Sequence, residues 1–83
     1  MIQQTSLDAF ENLKTLGLLQ RKVYAVIREV GSISNTMISN YTGIPINIVT
    51  PRVNELRKMG YVVEDRKDFC AITGKRVIYW RVR

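Results

Sequence analysis

The sequence predicts a small α+β domain: a three-helix core, a β-hairpin at its C-terminal end, and an extra N-terminal helix in front. Three observations carry this reading. Apolar residues keep helical spacing in segments before residue 60, whereas residues 76–82 alternate with the period of two of a strand that buries one face. Gly17, Gly31, Gly43 and Gly60 stand where helices should stop. The 83 residues, 46% of them hydrophobic, suffice for one core and fall short of two domains.

Residues 1–17 form the extension. Ser6 caps a short helix from Leu7 to about Leu16, with Leu7, Phe10 and Leu13 along one side, and Gly17 breaks it. The three-helix core occupies residues 18–60. Its first helix runs from Leu18 to Val30, with Leu19, Val23, Val26, Ile27 and Val30 as its apolar stripe and Gly31 as its stop. Ser34 caps a second, short helix whose core contact is Ile38, beside the small Ser39, and Gly43 ends it in the left-handed conformation. Ile44-Pro45 turns the chain. Val49, Val53 and Leu56 then mark a third helix that closes on Lys58-Met59-Gly60. Either Asn47 or Thr50 caps it, and both choices leave Pro51 in the opening turns. The hairpin fills residues 61–83. One strand runs from Tyr61 to about Arg66, a loop ends in the turn Thr73-Gly74-Lys75-Arg76, and a strand returns from Arg76 to Val82 with Ile78, Trp80 and Val82 inward.

Composition removes several function classes. No apolar run reaches the ~18–20 residues of a membrane span, and Met1-Ile2-Gln3-Gln4 lacks the cationic start of a secretory signal. One cysteine makes no internal disulfide, so a reducing cytoplasm is expected, that of the host if the source is viral. With no histidine and a single cysteine, neither a metal site nor a cofactor is expected, and no acid, base and nucleophile converge to suggest an enzyme. Cys70 reads as a small packing residue. The net charge of +6 is uneven: residues 51–83 alone carry +5. A basic face of that kind attracts a polyanion.

The passage Gly43-Ile44-Pro45 followed by Val49-Thr50-Pro51-Arg52-Val53-Asn54-Glu55-Leu56-Arg57-Lys58-Met59-Gly60-Tyr61-Val62, with Ser39 as the small residue before the turn, resembles the winged helix-turn-helix superfamily. Within it, this stretch is similar to the helix-to-wing passage of the MarR-type group. Thr73-Gly74-Lys75 with Trp80 is similar to small winged-helix proteins of bacteriophages and their relatives. The resemblance implies a third helix that reads duplex DNA and a wing that lies over the backbone or in the minor groove. It further implies a small regulator of transcription, or a factor in phage or mobile-element DNA metabolism.

The residues fit those roles. With Val49, Val53 and Leu56 turned to the core, Asn47, Pro51, Asn54 and Lys58 lie opposite, flanked by Thr50, Glu55 and Arg57. Asn pairs bidentately with an adenine edge, and a threonine methyl meets that of thymine. Arg52 lies nearer the core side, to pair with Glu55 or reach a phosphate. Arg66, Lys67, Lys75 and Arg76 cluster near the hairpin tip as phosphate anchors. The alternative is a winged helix used for protein contacts in a replication or transcription assembly. Ile2, Leu7, Phe10 and Leu13 either form a homodimer contact, which would double a single module's small DNA contact, or cover the chain's own core as an extra layer, against Trp80 or Tyr79.

Overall fold

The computed structural model describes residues 16–83. The expected helix over residues 7–16 and the dimer contact assigned to it lie outside the described residues, apart from Leu16, which is buried in the core. Helix α1 (Leu18–Val30) begins at Gly17, whose N–H donates to the Gln20 side chain at 2.9 Å, and ends at Gly31 with φ 97°. A two-residue strand, β1 (Ile33–Ser34), follows and runs directly into α2 (Asn35–Thr42). Ser34 is at once the last strand residue and the cap of α2, its hydroxyl accepting from the Met37 N–H at 3.3 Å. Gly43, at φ 78°, ends α2 as expected. Two side chains then fix the turn: the Ser39 hydroxyl donates to the Ile44 carbonyl at 2.6 Å, and Thr42 Oγ1 accepts from the Ile44 N–H at 3.1 Å.

Helix α3 (Ile46–Lys58) starts earlier than either predicted cap allows. Pro45, extended at φ −56° and ψ 144°, precedes it, and its carbonyl takes the N–H groups of both Ile48 and Val49. Asn47 therefore lies inside the first turn, and Pro51 falls at the sixth helical position. The proline is tolerated there because its ring is exposed; the cost is the bond its missing N–H would have made to the Asn47 carbonyl. At the other end the Gly60 N–H reaches the Arg57 carbonyl and the Tyr61 N–H the Leu56 carbonyl, with Gly60 at φ 85°. This paired closure turns the chain sharply into β2 (Val62–Phe69), which returns as β3 (Arg76–Val82).

The three strands form one antiparallel sheet in the order β1-β3-β2. Ile33 faces Trp80, and Val62 faces Val82. Val23, Val26 and Ile27 of α1, Ile38 of α2, and Val49, Val53 and Leu56 of α3 close over Ile33, Val62 and Trp80 to make the core. Tyr24 meets Tyr61 edge to face at 5.8 Å on its margin.

Three expectations are corrected. Val30 is 42% exposed and not part of the α1 stripe, because the core contact of the last turn is made by Ile27 and the helix ends at Val30. The first hairpin strand continues three residues past Arg66, and the expected long loop shrinks to a tight turn in which Cys70 N–H meets the Lys75 carbonyl at 2.9 Å. Tyr79, placed outward, does lie on the face away from Trp80 but is buried there: the Arg66 guanidinium covers its ring at 4.4 Å, and its hydroxyl donates to the Phe69 carbonyl at 2.8 Å. Trp80 is buried, and Ile78 and Val82 pack half-buried against the core.

Candidate nucleic-acid interface

Helix α3 fixes the first half of the site. Its core stripe, Val49, Val53 and Leu56, is buried, and at 100° per residue this turns Asn47, Thr50, Pro51, Asn54, Arg57 and Lys58 outward; all six are exposed. Asn47 and Thr50 spend no side-chain hydrogen bond among the described residues. Asn54 accepts from Arg57 Nη2 through its Oδ1 at 3.1 Å, which orients the carboxamide and leaves its N–H groups available.

Arg52 sits elsewhere. Its guanidinium forms a two-pronged pair with Glu55, Nε to Oε1 and Nη2 to Oε2 both at 2.8 Å, and Gln20 of α1 donates to the same Oε1 at 2.7 Å. These three side chains line a cleft with Gly17, Leu18 and Leu19, on the α1 side of α3. The Arg52 guanidinium holds the Glu55 carboxyl below its ordinary pKa, with the Gln20 amide adding to it, and partial desolvation opposes both. Of the two roles weighed for Arg52, the pair with Glu55 is the one present.

The hairpin supplies the second half, through a β-bulge. Glu64 faces Trp80 but Arg66 faces Tyr79, so Asp65 is the extra residue. An added residue exchanges the faces of everything beyond it. Lys67 thereby comes opposite Ile78, and Phe69 opposite Arg76, on the face that carries Trp80; Arg66 and Asp68 go to the other. The side chains of Lys67, Lys75 and Arg76 are exposed and make no hydrogen bond or ion pair among the described residues, and the same holds for the side chain of Lys58 at the end of α3. Arg66 differs. It pairs with Asp65 at 2.9 Å and Asp68 at 3.3 Å, donates to Ser32 at 2.7 Å, and lies over Tyr79, well back from the tip. The Asp68 carboxylate raises the Arg66 pKa, desolvation opposes it, and Asp65 adds to the rise. The four hairpin cations expected to act alike thus divide into three unpaired ones and a structural one.

Between the two halves runs a cleft that residue types alone did not disclose. Its two parts, of about 360 and 350 Å³, share Asn35, Thr50 and Trp80; one adds Thr36, Ile46 and Ile78, the other Pro51 and Asn54. Asn35 and Thr36 open α2, so the polar start of that helix joins the exposed face of α3 across Trp80. The signal was present in the Ser34 cap, which places the next two residues at a helix start. Asn35 Oδ1 is buried without a hydrogen-bond partner. Cys70 is buried, 3.7 Å from Ser34 Oγ, which ties the hairpin turn to the cap of α2. Burial pushes the Cys70 thiol up, but the Thr73 and Ile72 N–H groups and the Ser34 hydroxyl outweigh it and bring its pKa below the ordinary value. Among the described residues no group of three or more His, Cys, Asp and Glu is placed to hold a metal, and no helix is long and apolar enough to cross a membrane.

No family model matches the sequence, and no curated protein matches it.

Proposed function

We propose that the chain is a winged helix that binds double-stranded DNA, as a small regulator of transcription or a factor in phage or mobile-element DNA metabolism. The α3 face enters the major groove, with Asn47, Thr50 and Asn54 toward base edges; Lys58, Lys67, Lys75 and Arg76 hold phosphates on either side. The observation that carries this reading is the distribution of unspent polar groups. Three of the four acids on α3 and the hairpin are engaged inside the molecule, Glu55 by Arg52 and Gln20, Asp65 by Ser32 and Arg66, Asp68 by Arg66 and the Phe69 N–H; Glu64 is exposed without a partner, against Lys58, Lys67, Lys75 and Arg76, whose side chains make no ion pair among the described residues. Surplus positive charge beside hydrogen-bonding side chains on one exposed helix is the surface a duplex needs.

Selection of bound duplexes from a random pool, followed by anisotropy titration of the enriched sequence against a scrambled one, tests it. Enrichment of a short motif with salt-sensitive binding is expected. Absence of binding to any duplex at low salt overturns the reading in favour of a protein-contact module.

A further inference from the structure

The hairpin turn presents an apolar pair that neither the core nor the α3 face uses. Phe69, the last residue of β2, is 65% exposed, and Ile72, in the turn, is 51% exposed. Other large exposed apolar side chains, Leu18, Val30, Tyr41, Ile46 and Met59, are scattered over the helices and their ends, as is ordinary on a protein surface. These two share one short turn.

The turn holds them out by construction. Gly74 N–H meets the Cys70 carbonyl at 2.7 Å, Lys75 N–H meets Thr73 Oγ1 at 3.2 Å, the Phe69 carbonyl takes the Tyr79 hydroxyl, and the Cys70 side chain is buried against Ser34. With its backbone bonded on both sides, the turn has no slack to fold Phe69 and Ile72 inward. The residues around Ile72 are small: Ala71, Thr73 and Gly74, the last at φ 69° with nothing within 4 Å of where a Cβ would sit. From residue 69 to residue 76 there is no acid, and Lys75 and Arg76 are unpaired, as is Lys67 two residues before Phe69.

We infer that this turn enters the minor groove of the bound duplex and sets Phe69 and Ile72 against base steps as an apolar wedge that bends the DNA. The inference rests on the DNA-binding reading above and adds to it a mode of contact. A two-stranded ribbon is about 5 Å between strand axes, and the minor groove is about 6 Å wide, so a tip with small side chains and one or two bulky ones enters only by widening the groove. Apolar side chains at base steps do that by unstacking them, and the duplex bends away by roughly 20–90°. The cations fit the same occupant, since Lys67, Lys75 and Arg76 lie beside the wedge where the two phosphate strands flank the groove. A protein partner would need acids to meet three unpaired cations around a patch of two side chains.

The test is bending measured by energy transfer between end labels on a duplex of ~25 bp, on the full chain, with Phe69→Ala, Ile72→Ala and Lys75→Ala. Both apolar side chains are exposed, so their variants should melt as the unmodified protein does. The unmodified protein should bend the duplex. Phe69→Ala and Ile72→Ala should lose most of the bend and about tenfold in affinity with the salt dependence unchanged; Lys75→Ala should keep the bend and flatten the salt dependence by about one. A duplex bound straight, or bent equally by Phe69→Ala, overturns the wedge and leaves DNA binding standing. Loss of self-association in Phe69→Ala with no change in bend overturns it in favour of a contact between copies. No binding to any duplex overturns both readings.

Discussion

Single residues divide into those whose chemistry is already used inside the molecule and those whose chemistry is free. Asn54 lies at that boundary, because its Oδ1 holds Arg57 while its amide N–H groups stay open. An adenine edge requires one acceptor and one donor from the carboxamide, and Oδ1 retains a second lone pair. Asn54→Ala and Asn47→Ala should therefore each cost about 1–3 kcal/mol on the selected site and relax base preference there. Equal losses on selected and scrambled duplexes, read by anisotropy, would remove α3 as the reader. The carboxylates make a second prediction at this scale. Arg52 and then Gln20 lower the Glu55 pKa; the Ser32 hydroxyl and then Arg66 lower that of Asp65; the Phe69 N–H and then Arg66 lower that of Asp68. A lowered folded-state value means stability that is present above the ordinary carboxylate pKa of about 4 and is lost as pH falls through the folded value. The melting temperature should stay level from neutral pH to about 5 and fall below about 4, and Glu55→Gln should reduce the steepness of that fall. A profile unaltered by Glu55→Gln would show that the pair with Arg52 contributes nothing to folding.

At the scale of elements, periodicity decided what could be read in advance. Helix α1 falls on its expected bounds because Val23, Val26 and Ile27 recur on one side and Gly31 follows; β3 does so because its residues are branched or aromatic and alternate. Two features left no such trace. The β1 strand is two residues long, too short for any alternation, and exists through its pairing with Tyr79 and Trp80. The Asp65 bulge lies in Glu64-Asp65-Arg66-Lys67-Asp68, where charged residues on an exposed ribbon carry no apolar signal to set register, yet it decides which of the hairpin cations share the face of Trp80. The separation of Arg66 from Lys67 therefore became visible only with the backbone in place. The start of α3 departs from expectation for another reason: Asn47 and Thr50 have good capping side chains, but the Ser39 and Thr42 bonds already close the α2–α3 turn by Ile44, leaving the Pro45 carbonyl to begin the helix. Pro51 follows from that as an interior, exposed proline. Its replacement in Pro51→Ala restores one backbone N–H beneath the Asn47 carbonyl and removes no buried contact, so the variant should be more stable by about 1–3 kcal/mol. Thermal or urea denaturation measures this; a loss of stability would mean that the ring packs in the cleft beside Trp80 more tightly than its exposure implies.

For the whole molecule, the quantity that decides the proposed DNA binding is how many phosphates the unpaired cations would meet at once. The net charge of +6 raises the encounter rate with any polyanion, but only contacts that release counterions appear in the salt dependence. In the DNA-binding reading Lys58, Lys67, Lys75 and Arg76 supply four such contacts and Arg57, held only by a neutral carboxamide, a fifth, while the N–H groups that open α2 at Asn35 and Thr36 add neutral contacts that leave the salt dependence unchanged. A contact of ~5 phosphates gives a slope of log affinity against log salt of about −4 to −5 for one copy of the chain. A single α3 covers few base pairs, and modules this small bury too little surface for strong specificity alone. If two copies bind together, the slope per duplex should approach twice that range, and the selected sequence should contain two half-sites about one helical turn apart. If one copy binds, the slope stays in the single range and the motif is undivided. Titrating a duplex with one half-site against a duplex with two, each over a series of salt concentrations, separates the cases. A slope near −2 or shallower on both duplexes would mean that the cations around the turn and α3 do not share one phosphate backbone, and the face assembled here from α2, α3 and the hairpin would not be a DNA surface.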